Sequence, residues 1–322
     1  MKPFICLIIS LLMVLVPPEC EAQVRKKAKQ KAVRYSIHID DLHVRDPFIL
    51  TDPQSGNYYL HVNDTYRLIC YESQDLIHWR YCGKSFVPDK DFWGREDFWA
   101  PDLFFYRNRY YLFVTFSAPD RKRGTSILVS DQPAGPFEPL TNGPVTPADQ
   151  MCLDGTLFID EAGKPWLLYC HEWLEVGDGE ICVARLSEDL THIEDTPQVL
   201  FRASAAPWVG SLRSNKTTPP VQGKVTDAPF VYRLEDGRLL MLWSSFQRHT
   251  GHYAIGQAIS EGNIYGPWQH LKQPINRDNG GHAMLFRDHS GVLRISYHAP
   301  NRAPSRPLIR NVTFNGTRLL IE

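Results

Sequence analysis

Short apolar runs separated by turn-forming residues fill most of the chain, and helical periodicity is rare. The runs are rich in Tyr, Phe, Val, Ile and Leu, and Gly, Asn, Asp and Pro stand between them. Runs of this length between turn signals are typical of β-strands. Pro and Gly also recur too often for long helices or coiled coils. The pattern therefore predicts an all-β protein.

The apolar runs recur in sets of up to four, and the set occurs five times. Each set opens with a polar or small residue that is followed three positions later by an apolar pair. These opening residues are Asp46, Ala100, Asp154, Asp227 and His282. They lie about 54 residues apart, except for one longer gap that holds a loop rich in Pro, Ser and Asn.

Four strands in each of five units predict a five-bladed β-propeller with four antiparallel strands per blade. The loop at about 203–224 accounts for the longer gap between the third and fourth units. A β-sandwich joined to a second domain is the alternative. The regular spacing favours the propeller.

The first 40 residues differ from the repeats. An apolar run at 4–16 is too short to span a bilayer comfortably, and a small-x-small sequence at 20–22 follows it. This pattern is typical of a secretory signal peptide. The sequence predicts a signal peptide at 1–22, a basic leader at 23–40, and a propeller at 41–322 in a secreted or periplasmic protein. The alternative is an uncleaved membrane anchor; no other membrane contact is expected.

Composition excludes two classes of protein. A hydrophobic share of 43% is ample for a packed core and excludes a disordered chain. Lys and Arg number 35 against 36 Asp and Glu, which leaves a net charge of −1. Nucleic-acid binders usually carry a basic excess, so no nucleic-acid partner is expected. Nothing in the composition indicates an oligomeric state.

Three of the five opening residues are carboxylates that the predicted fold brings together. The innermost strands of a propeller start at one end of the central axis, so Asp46, Asp154 and Asp227 are expected to face a shared cavity. Neighbouring carboxylates raise each other's cost of ionisation, which spreads their proton affinities apart. One ionised and one protonated carboxyl are what acid–base cleavage of an acetal requires. Aspartates that only cap turns are the alternative.

The opening segments resemble the successive blade starts of glycoside hydrolase family 43. They are Val44-Arg45-Asp46-Pro47-Phe48, Trp99-Ala100-Pro101-Asp102, Asp154-Gly155-Thr156-Leu157-Phe158, Asp227-Ala228-Pro229-Phe230 and Gly281-His282. The resemblance covers about residues 41–300. It implies a glycosidase that acts with inversion on arabinose-, xylose- or galactose-containing glycans. Inverting enzymes hold base and acid roughly 6.5–9.5 Å apart.

The resemblance also implies catalytic roles. Asp46 resembles the general base, and Asp154 the carboxylate that orients the acid and tunes its proton affinity. Asp227 stands in the place of the general acid, which is usually Glu in the family. Aspartate is shorter by one methylene group, about 1.5 Å. Glu172 is therefore a substitute candidate for the acid, with Glu180 behind it, and a lost acid would leave a non-catalytic carbohydrate-binding propeller.

Further residues are candidates for substrate binding. Trp99 and Trp173 offer flat apolar faces on which a sugar would stack. Asp102 is expected deeper along the axis, where it binds substrate or caps a turn. His282 resembles an axial histidine that in some members lies near a calcium or sodium ion through water; no metal ligand or required cofactor is predicted. The basic run at 121–123 is expected in a solvated loop that an acidic glycan would be able to meet.

Overall fold

Five antiparallel sheets form the blades of a propeller in this computed structural model, which describes residues 36–215 and 219–322. The compact unit runs from Ile37 to Glu322. The predicted signal peptide at 1–22 lies outside the described residues, as do residues 23–35 of the predicted leader. Within the described ranges, no helix combines the length and the apolar character needed to cross a membrane.

Each blade has four strands in sequence order from the axis outwards. Blade one consists of β2 (Ile49–Thr51), β3 (Tyr58–Asn63), β4 (Leu68–Ser73) and β5 (His78–Phe86), to which β1 (Ile37–His38) adds an outer edge. Blade two consists of β6 (Glu96–Tyr106), β7 (Arg109–Ala118), β8 (Arg121–Ser130) and β9 (Glu138–Pro139). Blade three consists of β10 (Cys152–Ile159), β11 (Pro165–His171), β12 (Glu180–Arg185) and β13 (Gln198–Arg202).

The last two blades repeat this order. Blade four consists of β16 (Asp227–Arg233), β17 (Leu239–Phe246), β18 (Tyr253–Ser260) and β19 (Gln269–His270). Blade five consists of β20 (Gly281–Arg287), β21 (Leu293–Ala299), β22 (Arg306–Phe314) and β23 (Leu319–Ile321). The innermost strands β2, β6, β10, β16 and β20 contact one another in a closed ring. The predicted five-bladed, four-stranded architecture is confirmed.

The predicted loop between blades three and four contributes to the core. It contains a 3-10 turn at Ala203–Ala205 and a hairpin of β14 (Leu212–Ser214) and β15 (Val221–Gly223). Trp208 from this segment packs beside Trp243 of blade four, with ring centroids 5.4 Å apart. Both rings are buried, so the insertion adds to the apolar packing between blades as well as lengthening the gap.

Every blade start has a residue with left-handed backbone. The φ angles are 53° at Asp46, 49° at Ala100, 52° at Asp154, 52° at Ala228 and 58° at His282. Positive φ is uncommon outside glycine and costs of order 1–3 kcal/mol, and such strain clusters at functional sites. In blades two to five an irregularity in strand pairing lies at the same point. The five starts are therefore structurally equivalent.

Blade four corrects the sequence alignment by one residue. Ala228 is the left-handed residue there, so Asp227 precedes the position that Asp46 and Asp154 occupy. Asp227 still pairs with Ser244 in the ladder before the irregularity. The apolar pair that aligned the five blade starts does not indicate which residue has the left-handed backbone. The carboxyl of Asp227 thus leaves the chain one residue earlier than predicted.

Candidate active site

A cavity of about 280 Å³ opens at the end of the axis where the innermost strands start. It brings together the three predicted catalytic aspartates with two of the predicted substrate-binding residues. Its lining is Arg45, Asp46, Asn63, Trp99, Leu153, Asp154, Asp227, Tyr253 and His282. Residues from all five blades therefore meet in one concave site, which is where a ligand of a propeller is expected.

Asp46 is held by two histidines. Its Oδ1 lies 3.1 Å from Nδ1 of His282 and 3.2 Å from Nδ1 of His298, and its backbone N–H donates to the same His298 nitrogen. Burial raises the pKa of Asp46, but the charge of His282 and the hydrogen bond that His282 donates outweigh that rise and hold the pKa well below its usual range. Asp46 is therefore ionised and able to accept a proton.

Asp154 joins two neighbouring blades at the cavity floor. Its backbone N–H donates to Thr115 Oγ1 of blade two at 2.9 Å, and its Oδ2 accepts the N–H of Ala228 at 2.9 Å. The same oxygen lies 3.8 Å from Nδ1 of His282. Burial raises the pKa of Asp154, and His282 opposes that rise. Because Ala228 directly follows Asp227, Asp154 fixes the backbone that carries the third carboxyl.

Asp227 is the protonated member of the set. Its Oδ2 accepts a hydrogen bond from the Tyr253 hydroxyl at 2.9 Å. Burial, followed by the charge of Asp154, raises the pKa of Asp227 to about 8, and the hydrogen bond from Tyr253 opposes the rise. One cavity thus holds an ionised Asp46 and a carboxyl at Asp227 that keeps its proton at neutral pH. Widely separated proton affinities of this kind mark an acid–base pair.

Neither substitute acid lies in the cavity lining. Glu172 is buried and forms an ion pair with Arg123. Glu180 is held by His171 at 3.1 Å and by Arg202 at 2.8 Å. Both carboxylates therefore have cationic partners already, whereas Asp227 has a neutral hydroxyl.

Arg123 occupies a different environment from the solvated loop that the sequence predicted. Only 15% of its side chain is exposed, and it bridges Asp97, at 2.8 Å, and Glu172. Its guanidinium lies 4.4 Å from the centroid of the Trp99 ring. The local run of basic residues gave no sign of these partners, which are distant in sequence. Arg123 fixes the ring of Trp99, and Trp99 lines the cavity.

Trp173 lies outside the cavity lining. It starts the one-turn helix α1 (Trp173–Val176), which packs against β15 of the inserted hairpin. A Cβ atom at Gly223 would approach the Trp173 ring to 2.8 Å. The side chain therefore supports the insertion, and its predicted sugar-stacking role gains no support from this placement.

Asp102 and His282 continue the site along the axis. A space of about 10 Å³ beneath the cavity is lined by both residues together with Asp154, and it is large enough for one water molecule. Asp102 is 7% exposed, its Oδ1 has no hydrogen-bond partner within the described residues, and burial raises its pKa to about 7. It lies below the sugar-sized cavity, and its predicted contact with substrate stays a prediction.

The residues around His282 do not fit a directly bound metal ion. Burial lowers the pKa of His282, but Asp46 and Asp154 raise it to about 10, so the imidazole is a cation without a free lone pair. Among the described residues no group of three or more His, Cys, Asp or Glu side chains is arranged to hold a metal. A calcium or sodium ion held through waters stays a prediction, and no chemical step below depends on one.

Sequence analysis missed the apolar Leu153, which lines the cavity, and four polar or aromatic residues of the site. Arg45 lines the cavity, and its guanidinium donates two hydrogen bonds to Asn301. One goes to the backbone carbonyl and the other, at 3.0 Å, to the side-chain Oδ1. Asn63 lines the cavity from the end of β3, Tyr253 from the start of β18, and His298 lies behind Asp46. Asn63, Tyr253 and His298 share a position at or near strand ends that face the mouth, which only the paired strands reveal, whereas Arg45 lies in the segment before β2.

A larger surface cavity of about 580 Å³ lies at another part of the molecule. Its charged side chains neutralise one another: Glu188 pairs with Arg107 and with Lys164, each at 2.7 Å, and Arg185 pairs with Glu194 at 2.8 Å. It contains none of the predicted catalytic residues.

Comparisons with known proteins agree with the fold. An endo-arabinase structure from Bacteroides thetaiotaomicron is 54% identical, with a TM-score of 0.85 over 88% of this chain and 98% of that chain. An extracellular exo-α-(1→5)-L-arabinofuranosidase from Cellvibrio japonicus is 21% identical over 71% of this chain and 67% of the relative. A thermostable family-43 glycoside hydrolase has the same fold, at 24% identity and a TM-score of 0.73 over 87% of this chain and 93% of that chain.

The family assignment rests on nearly the whole propeller. The sequence model of glycosyl hydrolases family 43 matches residues 39–318, which include all five blade starts and every residue of the cavity. This chain belongs to glycosyl hydrolases family 43 and is a glycosidase.

Proposed function

We propose that this chain is a secreted glycosidase that cleaves arabinofuranosyl linkages of plant arabinan with inversion of configuration. The observation that carries the proposal is that one cavity holds two carboxyls in different surroundings: Asp46 lies beside His282, and Asp227 lies beside the Tyr253 hydroxyl. The 54% identity to an endo-arabinase supports arabinan as the substrate. The signal-like N-terminal sequence and the extracellular relative support secretion.

The proposed reaction is a single displacement at the anomeric carbon. Asp46 takes a proton from a water molecule, and the water oxygen bonds to the anomeric carbon. The bond from that carbon to the leaving oxygen breaks, and Asp227 gives its proton to that oxygen. Asp154 holds the backbone behind the acid through Ala228. His282 keeps Asp46 ionised until the proton transfer.

Inversion makes a stereochemical prediction. Hydrolysis of an α-linked arabino-oligosaccharide is expected to release the β-anomer first, because water attacks from the face opposite the leaving group. A proton NMR time course, recorded before mutarotation mixes the anomers, measures this directly. If the α-anomer appears first, the single displacement is excluded. If the protein binds the oligosaccharide but releases no product, hydrolysis of this substrate is excluded.

The acid assignment predicts a limit to activity at high pH. Asp227 is active only when protonated, so kcat/KM on linear arabinan is expected to fall as pH rises through about 8. Asp46 must be ionised, and its depressed pKa predicts that activity persists well into the acidic range. A profile of kcat/KM from pH 4 to 10 measures the basic limb and tests whether activity persists down to pH 4. Full activity at pH 10 would contradict the assignment of Asp227.

A further inference from the structure

We propose that Tyr253 is a positioning residue for the general acid: its hydroxyl fixes one oxygen of Asp227 so that the other presents the proton to the leaving group. The inference rests on the proposed function of Asp227. It concerns a residue at the start of β18, which β17 separates from β16, the strand that carries Asp227.

The hydrogen bond decides which oxygen carries the proton. Oδ2 of Asp227 accepts from the Tyr253 hydroxyl at 2.9 Å, so Oδ1 is left to hold the acidic hydrogen. Rotation of a carboxyl about its last bond has a broad, roughly two-fold profile. Without the Tyr253 hydroxyl, rotation of the carboxyl would interchange the positions of its two oxygens. With the hydroxyl in place, the proton of Asp227 stays on one side of the cavity.

The Tyr253 ring is itself locked in place. Its backbone N–H donates to Asn279 Oδ1 at 2.8 Å, and its ring lies 5.0 Å from the ring of Phe246. Gly281 packs so closely that a Cβ atom there would lie 2.2 Å from the Tyr253 ring. The side chain is 3% exposed. A donor held this firmly needs no reorganisation when the proton leaves Asp227.

The same ring connects the acid to the base. Tyr253 stacks on His298, with ring centroids 5.8 Å apart and planes 17° apart. Nδ1 of His298 in turn lies 3.2 Å from Oδ1 of Asp46. One rigid pair of rings therefore supports both carboxyls. This support suits an aspartate, whose carboxyl is closer to its backbone than a glutamate carboxyl would be.

The test is Tyr253→Phe, with Tyr110→Phe as the matched control. Phenylalanine keeps the ring that stacks on His298 and removes only the hydroxyl. Tyr110 donates to Asp52 Oδ1, also at 2.9 Å, and lies outside the cavity. We expect Tyr253→Phe to lower kcat on arabino-oligosaccharides by about tenfold or more, with a smaller change in KM. Tyr110→Phe is expected to keep the wild-type kcat.

Two further readouts separate positioning from general damage. A nitrophenyl arabinofuranoside needs little protonation of its leaving group, so Tyr253→Phe is expected to change its kcat little. The hydrogen bond favours the ionised carboxylate, so its loss is expected to move the basic limb of the pH profile to higher pH. A Tyr253→Phe variant that has the kcat of the wild-type protein and the same basic limb of the pH profile would overturn the proposal. Equal losses on both substrates with an unmoved limb would also overturn it.

Gly281→Ala provides a second variant in case Tyr253→Phe does not fold, as judged by circular dichroism. It keeps the hydroxyl but displaces the ring, so we expect a large loss of kcat on arabino-oligosaccharides and a smaller loss on the nitrophenyl arabinofuranoside, where only the support of Asp46 through His298 is disturbed. A folded Gly281→Ala with wild-type kinetics overturns the proposal. Failure of the proposed function looks different, because the wild-type protein itself would then release the wrong anomer or no product.

Discussion

Asp46→Asn is expected to lower kcat on arabino-oligosaccharides by about 10²- to 10⁴-fold, the range that general acid–base catalysis contributes. Asparagine has nearly the same shape but cannot accept the proton of the attacking water. A good leaving group is not expected to rescue the variant, because the missing step is activation of water. Steady-state kinetics on arabino-oligosaccharides and on a nitrophenyl arabinofuranoside measure both effects. Undiminished turnover would remove Asp46 from the base role.

The variant also changes the charge balance of the axis. Asp46 is the largest contributor that raises the pKa of His282, so the His282 pKa is expected to fall in Asp46→Asn. A histidine NMR titration measures this shift. Asp288→Asn is the matched control, since Asp288 is likewise buried and pairs with a cation, Arg294, at 2.8 Å, but outside the cavity. It is expected to lower the melting temperature and to leave kcat unchanged.

Spacing along the chain was enough to predict the blades but not the local backbone of each start. Five sets of apolar runs predict five sheets because a strand-and-turn pattern is local. The register of blade four is not local: Asp227 pairs with Ser244, and the chain turns at Ala228. The residue types around Ala228 do not indicate a left-handed backbone at an alanine. The sequence analysis therefore aligned Asp227 with the left-handed position of the other blade starts, although Asp227 precedes that position by one residue.

Partner residues explain the other differences. Arg123 looks like part of a solvated basic run, yet its carboxylate partners Asp97 and Glu172 come from other segments of the chain. Tyr253 looks like one of many aromatic residues in strands, and only the pairing of strands within blade four brings it to Asp227. The candidate catalytic aspartates were accessible to sequence analysis because they recur at or next to the blade starts. The residues that orient them do not recur, so they emerged only from the folded chain.

Asp227→Asn and Glu172→Gln, compared on two leaving groups, are expected to identify the general acid. Asp227→Asn should lose about 10²- to 10⁴-fold in kcat on arabino-oligosaccharides but far less on a nitrophenyl arabinofuranoside, whose leaving group departs without a proton. Glu172→Gln removes one partner of Arg123 and is expected to lower the melting temperature, with the same modest kinetic effect on both substrates.

The pH profile supplies the second criterion for the same pair of variants. The basic limb that Asp227 causes near pH 8 is expected to disappear in Asp227→Asn and to persist in Glu172→Gln. Leaving-group rescue in Glu172→Gln, together with loss of its basic limb, would transfer the acid role to Glu172. The geometry argues against that outcome, because Glu172 lies outside the cavity lining and is paired with Arg123, whereas Asp227 lines the cavity and accepts a hydrogen bond from the neutral Tyr253 hydroxyl.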